Sequence, residues 1–386
     1  MKQNYGLILT SMILMSMVLF LVFVSEGREE RILLELAAAE EIGNERPAVP
    51  SEEEEPDIGF AVSLRYESYT HASPYYIVLS SIGEIRAEPS MTGTVIAKPR
   101  RFEVLEHRID SFPVSEPDTD LLWYPVTYAT DAGSVAGFIE QSELSVRRFE
   151  FARMEEAVAQ LDRYSTRGDL AYIKSHGDPR GQNAYGYPSL NDEEVSVPLP
   201  DGTLVRYLFS NGTKARVMVV GTGQRYYVES GFLGDEPVQA ITKVIVIDRS
   251  NQNEAVYEKN GNTWTRISET LATTGTSGRY SSPTPLGFYL AMEKREQFYY
   301  YKDGTTVYQG YAPYAIRFTG RAYIHGVPVD FRTSADGQRI KPPMQEFSKS
   351  IGTIPLSHKC VRNYTSHAKF LYDWFSAGET AVIVIE

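Results

Sequence analysis

The chain has 386 residues, 42% hydrophobic and 12% aromatic, with a formal net charge of −12 and one cysteine. That length suits two or three domains with real cores. The acidic balance excludes a nucleic-acid role, which needs a concentrated basic surface, and a lone cysteine excludes a disulfide framework or a multi-cysteine metal site.

In chain order, the first signal is Gly6 to Val24, a largely apolar run of 19 residues preceded only by Lys2. It is long enough to cross a bilayer as a helix, and residues 1–27 are expected to be a signal anchor. Cleavage near Ser25-Glu26-Gly27 is the alternative, giving a secreted product. Either way the bulk of the chain is expected outside the cytoplasm, and retention makes it a single-pass membrane protein. Residues 28–60 begin with a helix-favouring stretch, Arg28 to Glu45. A Pro- and Glu-rich segment follows that has little to pack, so 28–60 is expected to be an acidic juxtamembrane linker.

The 26 tyrosines and runs such as Phe298-Tyr299-Tyr300-Tyr301 favour strands, so the chain is expected to be mainly β. Over 75–147 short strands are expected at Tyr76–Leu79, Gly93–Ala97, Phe102–Leu105, Trp123–Val126 and Gly137–Ile139. The order of the last four, with Ile85-Arg86-Ala87-Glu88-Pro89-Ser90 ahead of them, resembles a bacterial SH3-like domain. That resemblance implies a small β-barrel which binds cell-wall polymer or packs on a catalytic domain. Phe149 to Lys174 reads as a helix, since Met154, Ala157, Val158, Leu161 and Tyr164 recur at three- and four-residue steps. Turn signals at Asp201-Gly202, Asn211-Gly212 and Gly221-Thr222-Gly223 then divide short strands. Residues 148–238 are thus expected to hold a helix and a possible second SH3-like module.

The segment 239–386 is expected to be one further β-rich domain. Ile241–Ile247 and Ala381–Ile385 are apolar, β-branched runs typical of core strands. Asn363 to Trp374 reads as a helix with Phe370, Leu371 and Trp374 turned inward. Cys360 lies between these elements, and two readings of it stand: a small buried hydrophobe, or a nucleophile. A thiol becomes a nucleophile when an imidazole takes its proton. His325 and His358 are the histidines in strand-like sequence here. His325 ends an apolar strand and precedes Gly326. His358 lies two residues before Cys360 and would share its face if the segment is extended. Arg362, two residues after, would share it too and could hold a substrate carboxylate.

The ordered set Thr274-Gly275, Thr284-Pro285-Leu286-Gly287, His325-Gly326 and Ser357-His358-Lys359-Cys360-Val361-Arg362 resembles the L,D-transpeptidase (YkuD-type) catalytic domain. The end of the chain, Leu371 to Glu386, fits that family's closing helix and strand. The resemblance implies a β-sandwich or barrel domain and a cysteine acyl-transferase acting on peptidoglycan stem peptides, with no metal or cofactor required. Cys360 would attack the amide between the third residue, a diamino acid, and D-Ala. His325 would be the base, oriented by the Gly326 carbonyl. Ser357, His358, Lys359, Arg362 and the cleft wall Tyr323 would line the substrate site. Acylation of Cys360 by carbapenems is a further implication.

Two departures stand out. Lys359 occupies a position that is glycine in the family, which is penalised if the backbone has positive φ there, although its ammonium would favour a thiolate. The loop from Gly326 to Leu356 is longer than usual and is expected to be a lid. Two other functions stay open: a carboxypeptidase using the same residues, and a wall-binding protein whose site Lys359 has disabled.

Overall fold

The computed structural model describes residues 58–386, apart from 67, 69–72, 109–110, 166, 175–182, 192–194 and 236–237. The expected signal anchor and nearly all of the expected linker lie outside the described residues. Among the described residues, no helix is long and apolar enough to cross a membrane.

The chain is mainly β, as composition implied. Its central sheet has six strands: β1 (Gly59–Tyr66), β2 (Lys243–Asp248), β3 (Asn253–Asn260), β4 (Thr263–Leu271), β5 (Gly287–Leu290) and β10 (Thr380–Ile385). Their spatial order is β1-β4-β3-β2-β10-β5, with β1–β4 and β2–β10 parallel. Both apolar runs singled out in the sequence, β2 and β10, are thus central strands, and the pattern of their burial explains their composition. Val244, Val246, Ala381 and Ile383 face one core, while Ile245, Ile247, Val382 and Val384 face another. A strand buried on both faces reads as a continuous apolar run rather than an alternating one.

The first core is closed by helix α1 (Phe151–Ser165), whose Met154, Ala157, Val158 and Leu161 are buried as the periodicity required. The second is closed by helix α2 (Thr365–Trp374) and by a second sheet. That sheet runs β6 (Glu293–Tyr301), β7 (Tyr308–Thr319), β8 (Ala322–His325) and β9 (Val361–Arg362), with Val329–Asp330 paired to β7. Leu371 and Trp374 of α2 point inward, with Phe370 packed beside them.

The expected linker ran to residue 60, whereas β1 starts at Gly59 and pairs in parallel with β4. The acidic residues upstream masked a period-two signal in Phe60, Leu64 and Tyr66, the positions least exposed in β1. Residues 75–147 form a largely antiparallel sheet of eight short strands, including segments at each place expected. Residues 170–229 add a four-stranded antiparallel sheet with a separate two-stranded ribbon, Asn183–Gly186 with Val197–Pro200.

Candidate active site

Strand pairing assembles the site. β8 and β9 are parallel, with Ile324 opposite Val361 and His325 opposite Arg362. Paired residues point to the same face, and residues two apart on a strand share it. One face therefore carries Tyr323 and His325 from β8, and Cys360 and Arg362 from β9 and the residue before it. Tyr323, Cys360 and Ala315 form one buried cluster with Phe298 packed against it. Phe298 stacks on Tyr323 with ring centroids 4.4 Å apart and lies 6.0 Å from the His325 ring.

His325 is 3% exposed, and its Nδ1 lies 2.7 Å from the Gly326 carbonyl oxygen. A carbonyl can only accept, so Nδ1 carries the proton and Nε2 keeps its lone pair. Burial drives the imidazole pKa down to about 4, with the Arg362 cation acting in the same direction against the Gly326 bond. Gly326 is needed for a packing reason: an added Cβ would meet Thr365 Oγ1 at 2.8 Å and Pro313 at 2.9 Å.

Cys360 is 9% exposed, and its thiol donates to the Arg321 carbonyl at 3.6 Å. Burial pushes the thiol pKa up. The Tyr323 backbone N–H and the Arg362 and Lys359 cations oppose that rise. At neutral pH the pair therefore rests as thiol and neutral imidazole, with cations placed to receive a thiolate as it forms. Arg362 is partly buried, with a buried Nε that has no hydrogen-bond partner, and it faces the Cys360 thiol, Tyr300 and Asp330.

The loop before Cys360 is built by the motifs upstream. Thr284 is fully buried; its hydroxyl accepts from the Gly275 N–H at 2.8 Å and donates to the Lys359 carbonyl at 2.9 Å. Gly275 lies so close that an added Cβ would stand 2.7 Å from Lys359 Cα. The Ser357 hydroxyl donates to the Cys360 carbonyl. Lys359 adopts φ of +119°, the left-handed side that glycine favours, and its Nζ donates to the Gly320 carbonyl at 3.1 Å.

That positive φ corrects the extended reading of Ser357–Arg362. The two-residue argument holds from Cys360 to Arg362 but fails from His358 to Cys360, because the chain turns at Lys359. His358 is exposed, and its Nε2 lies 3.2 Å from Asp303 Oδ2 at the tip of the β6–β7 hairpin. Ser357, expected to line the substrate site, is 1% exposed and fixes the turn instead. The expected lid, Gly326–Leu356, is tied down at several points. Tyr311 Oη donates to the Pro342 carbonyl at 2.7 Å, Thr273 Oγ1 to the Ser350 carbonyl at 2.8 Å, and Thr365 Oγ1 to the Gln345 carbonyl at 2.5 Å. Asp303 and Asp330 were not singled out in the sequence, and Phe298 and Tyr300 only as part of a strand-favouring run. Only the β hairpin and the paired Val329–Asp330 segment bring them to the site. His367 is fully buried with Nε2 2.7 Å from Ser268 Oγ.

With this geometry in hand, comparison with known proteins is informative. The family model of the L,D-transpeptidase catalytic domain (YkuD) matches residues 242–384. No curated protein matches the chain. Among solved structures, an L,D-transpeptidase from Mycobacterium smegmatis aligns at 16% identity and a TM-score of 0.29, over 63% of this chain and 90% of that one. The L,D-transpeptidase LdtMt1, solved with imipenem, aligns at 15% identity and a TM-score of 0.29, over 71% and 98%. A fused Zn-dependent amidase/peptidase/peptidoglycan-binding protein from Clostridium acetobutylicum aligns at 20% identity and 0.26, and the chain spans only 55% of its length. It is the family match that carries weight: residues 242–384 are an L,D-transpeptidase catalytic domain of the YkuD type.

Proposed function

We propose that this domain cross-links peptidoglycan stem peptides through a thioester on Cys360. The observation that carries the reading is the β8–β9 pairing, which sets His325, its Nε2 free, and Arg362 on the same face as the thiol. Sγ attacks the carbonyl carbon between the diamino acid and D-Ala, and its proton passes to His325 Nε2. His325 then protonates the departing D-Ala amine, leaving an acyl-enzyme; this is triad logic with the Gly326 carbonyl in place of a carboxylate. Backbone N–H groups around Cys360 stabilise the oxyanion. The side-chain amine of a second stem attacks the thioester, gives its proton to His325, and regenerates the thiol. Arg362 binds the D-Ala carboxylate of the donor, and Tyr323 and the Lys359 side chain border the cleft.

On the same reading, residues 1–27 anchor the chain in the cell membrane with the catalytic domain facing the wall, and residues 75–147 are an SH3-like module that contacts wall polymer. The test is incubation of the protein with tetrapeptide-stem muropeptides, with products read by mass spectrometry. A cross-linked dimer that disappears in Cys360→Ala supports transpeptidation. D-Ala release without dimer means that water wins the acyl-enzyme. No product and no carbapenem adduct on Cys360 would overturn the enzymatic reading.

A further inference from the structure

The turn that faces the thiol is held from outside the matched domain. Asp201 sits between Val197–Pro200 and Leu204–Ser210, in the small β module upstream. Its side chain is fully buried, and the stretch Arg317–Gly320 supplies donors to it. The Arg317 guanidinium pairs with Oδ2, the Gly320 N–H donates to Oδ1, and the Thr319 hydroxyl lies 3.5 Å away. Gly202 beside it has φ of +80°, and an added Cβ would stand 2.1 Å from the Phe318 carbonyl oxygen. Its own carbonyl accepts from the Leu290 N–H at 2.7 Å. The Asp201-Gly202 turn is thus plugged into the catalytic domain in a way only glycine permits.

The Thr319–Arg321 turn, which Asp201 holds on one side, meets Lys359 and Cys360 on its other side. The Gly320 carbonyl accepts from Lys359 Nζ at 3.1 Å, and the Arg321 carbonyl accepts from the Cys360 thiol at 3.6 Å. Arg321 holds φ of +61°, a conformation that needs support from its surroundings. We propose that Asp201 is a positioning residue for Cys360, holding the Thr319–Arg321 turn against the thiol and keeping the Lys359 ammonium docked beside it.

The charges around these groups give the proposal a sign. The cations acting on the thiol are Arg362 and Lys359, with Tyr323 and neutral His325 as the neighbouring titratable groups. Lys359 faces Asp201 and the thiol. Burial lowers its pKa, and Asp201 opposes that shift. Arg317, paired to Asp201, also lies 3.8 Å from Glu293. Without Asp201 the ammonium loses its counter-charge and its docked turn, so the thiol loses a stabilising cation.

The inference rests on Cys360 being the reactive nucleophile proposed above, but thiol alkylation tests it without any wall substrate, so the two can fail separately. The experiment is the pH-dependence of Cys360 alkylation by iodoacetamide in the full chain, where the sole cysteine makes intact mass unambiguous. Asp201→Asn should move the half-maximal rate to higher pH by about one pH unit, with unchanged far-UV circular dichroism. Lys359→Met should do the same, and the double variant should go no further. An unmoved profile in folded Asp201→Asn would mean a purely structural role. A move to lower pH would mean that the carboxylate acts on the thiol directly, and additive shifts would mean independent action; each overturns the proposal. Should Asp201→Asn not fold, Lys359→Met decides: a wild-type profile overturns it and an upward shift supports it.

Discussion

Acid should weaken both the fold and the nucleophile through a single imidazole. His325 is 3% exposed and its pKa is held down to about 4 by burial, then by the Arg362 cation. In the unfolded chain the same group titrates near ~6.5. The unfolded state therefore takes up the proton first as pH falls. Stability from this source is whole above pH ~6.5 and is lost progressively as the pH drops toward 4. Between pH 7 and 4.5 the loss is about 2.5 kcal/mol, since each pH unit in that window costs up to about 1.4 kcal/mol. Urea unfolding of the wild type and of His325→Asn at several pH values isolates it: the wild type should lose about that much more than the variant. Parallel pH curves would refute the argument. The same imidazole sets the acid limb of Cys360 acylation. At pH ~5.5 an ordinary histidine is only about one-tenth neutral, whereas His325 should be almost wholly so. Acylation should therefore persist to pH ~4.5, and an acid limb between pH ~6 and ~7 would show that the imidazole titrates as an ordinary histidine and is not held down by burial.

Three further outcomes follow from the contacts around the loop. Thr284→Val removes the hydroxyl shared by the Gly275 N–H and the Lys359 carbonyl, and should cost about 2–4 kcal/mol in denaturant unfolding while slowing Cys360 acylation. Arg362→Lys keeps the charge but loses the planar fork. It should raise KM roughly tenfold or more for stems ending in a free D-Ala carboxylate, and leave amidated stems little changed in steady-state assays. Lys359→Gly relieves a positive φ and loses one hydrogen bond, so its stability should stay within about 1 kcal/mol of wild type. Its Cys360 should alkylate more slowly at neutral pH; faster alkylation would mark the lysine as a hindrance.

Much of this architecture was legible because local signals and tertiary demands agree. β2 and β10 are buried on both faces and read as unbroken apolar runs, and α1 shows its buried stripe at helical spacing. The reading failed where one dihedral decides the geometry. The lysine itself does not announce φ of +119°; the glycine of the resembling family at that position was the one pointer, and the turn sends His358 to Asp303 rather than onto the Cys360 face. Ser357 was misplaced for the same reason, since a hydroxyl that closes a turn and one that meets substrate look alike in sequence. Asp201 was visible only as half of a turn signal. Its burial against Arg317 and Gly320 is a long-range contact with no periodicity to betray it.

At Lys359 a side chain persists where glycine would sit without strain. A non-glycine residue at such a φ costs about 1–3 kcal/mol and survives only where its surroundings over-determine it. Here they do. Thr284 grips its carbonyl, Gly275 presses against its Cα with no room for a side chain, and the Gly320 carbonyl holds its ammonium. A hydrogen bond to a charged group returns about 1.5–3 kcal/mol, so the strain and the anchor are of similar size and stability alone does not select lysine. Reactivity does distinguish them. Burial raises the pKa of the Cys360 thiol, and an ammonium fixed beside it opposes that rise, which no glycine can do. On the proposed reading, the strained lysine is an electrostatic partner of the Cys360 thiol, held by the Gly320 turn that Asp201 contacts.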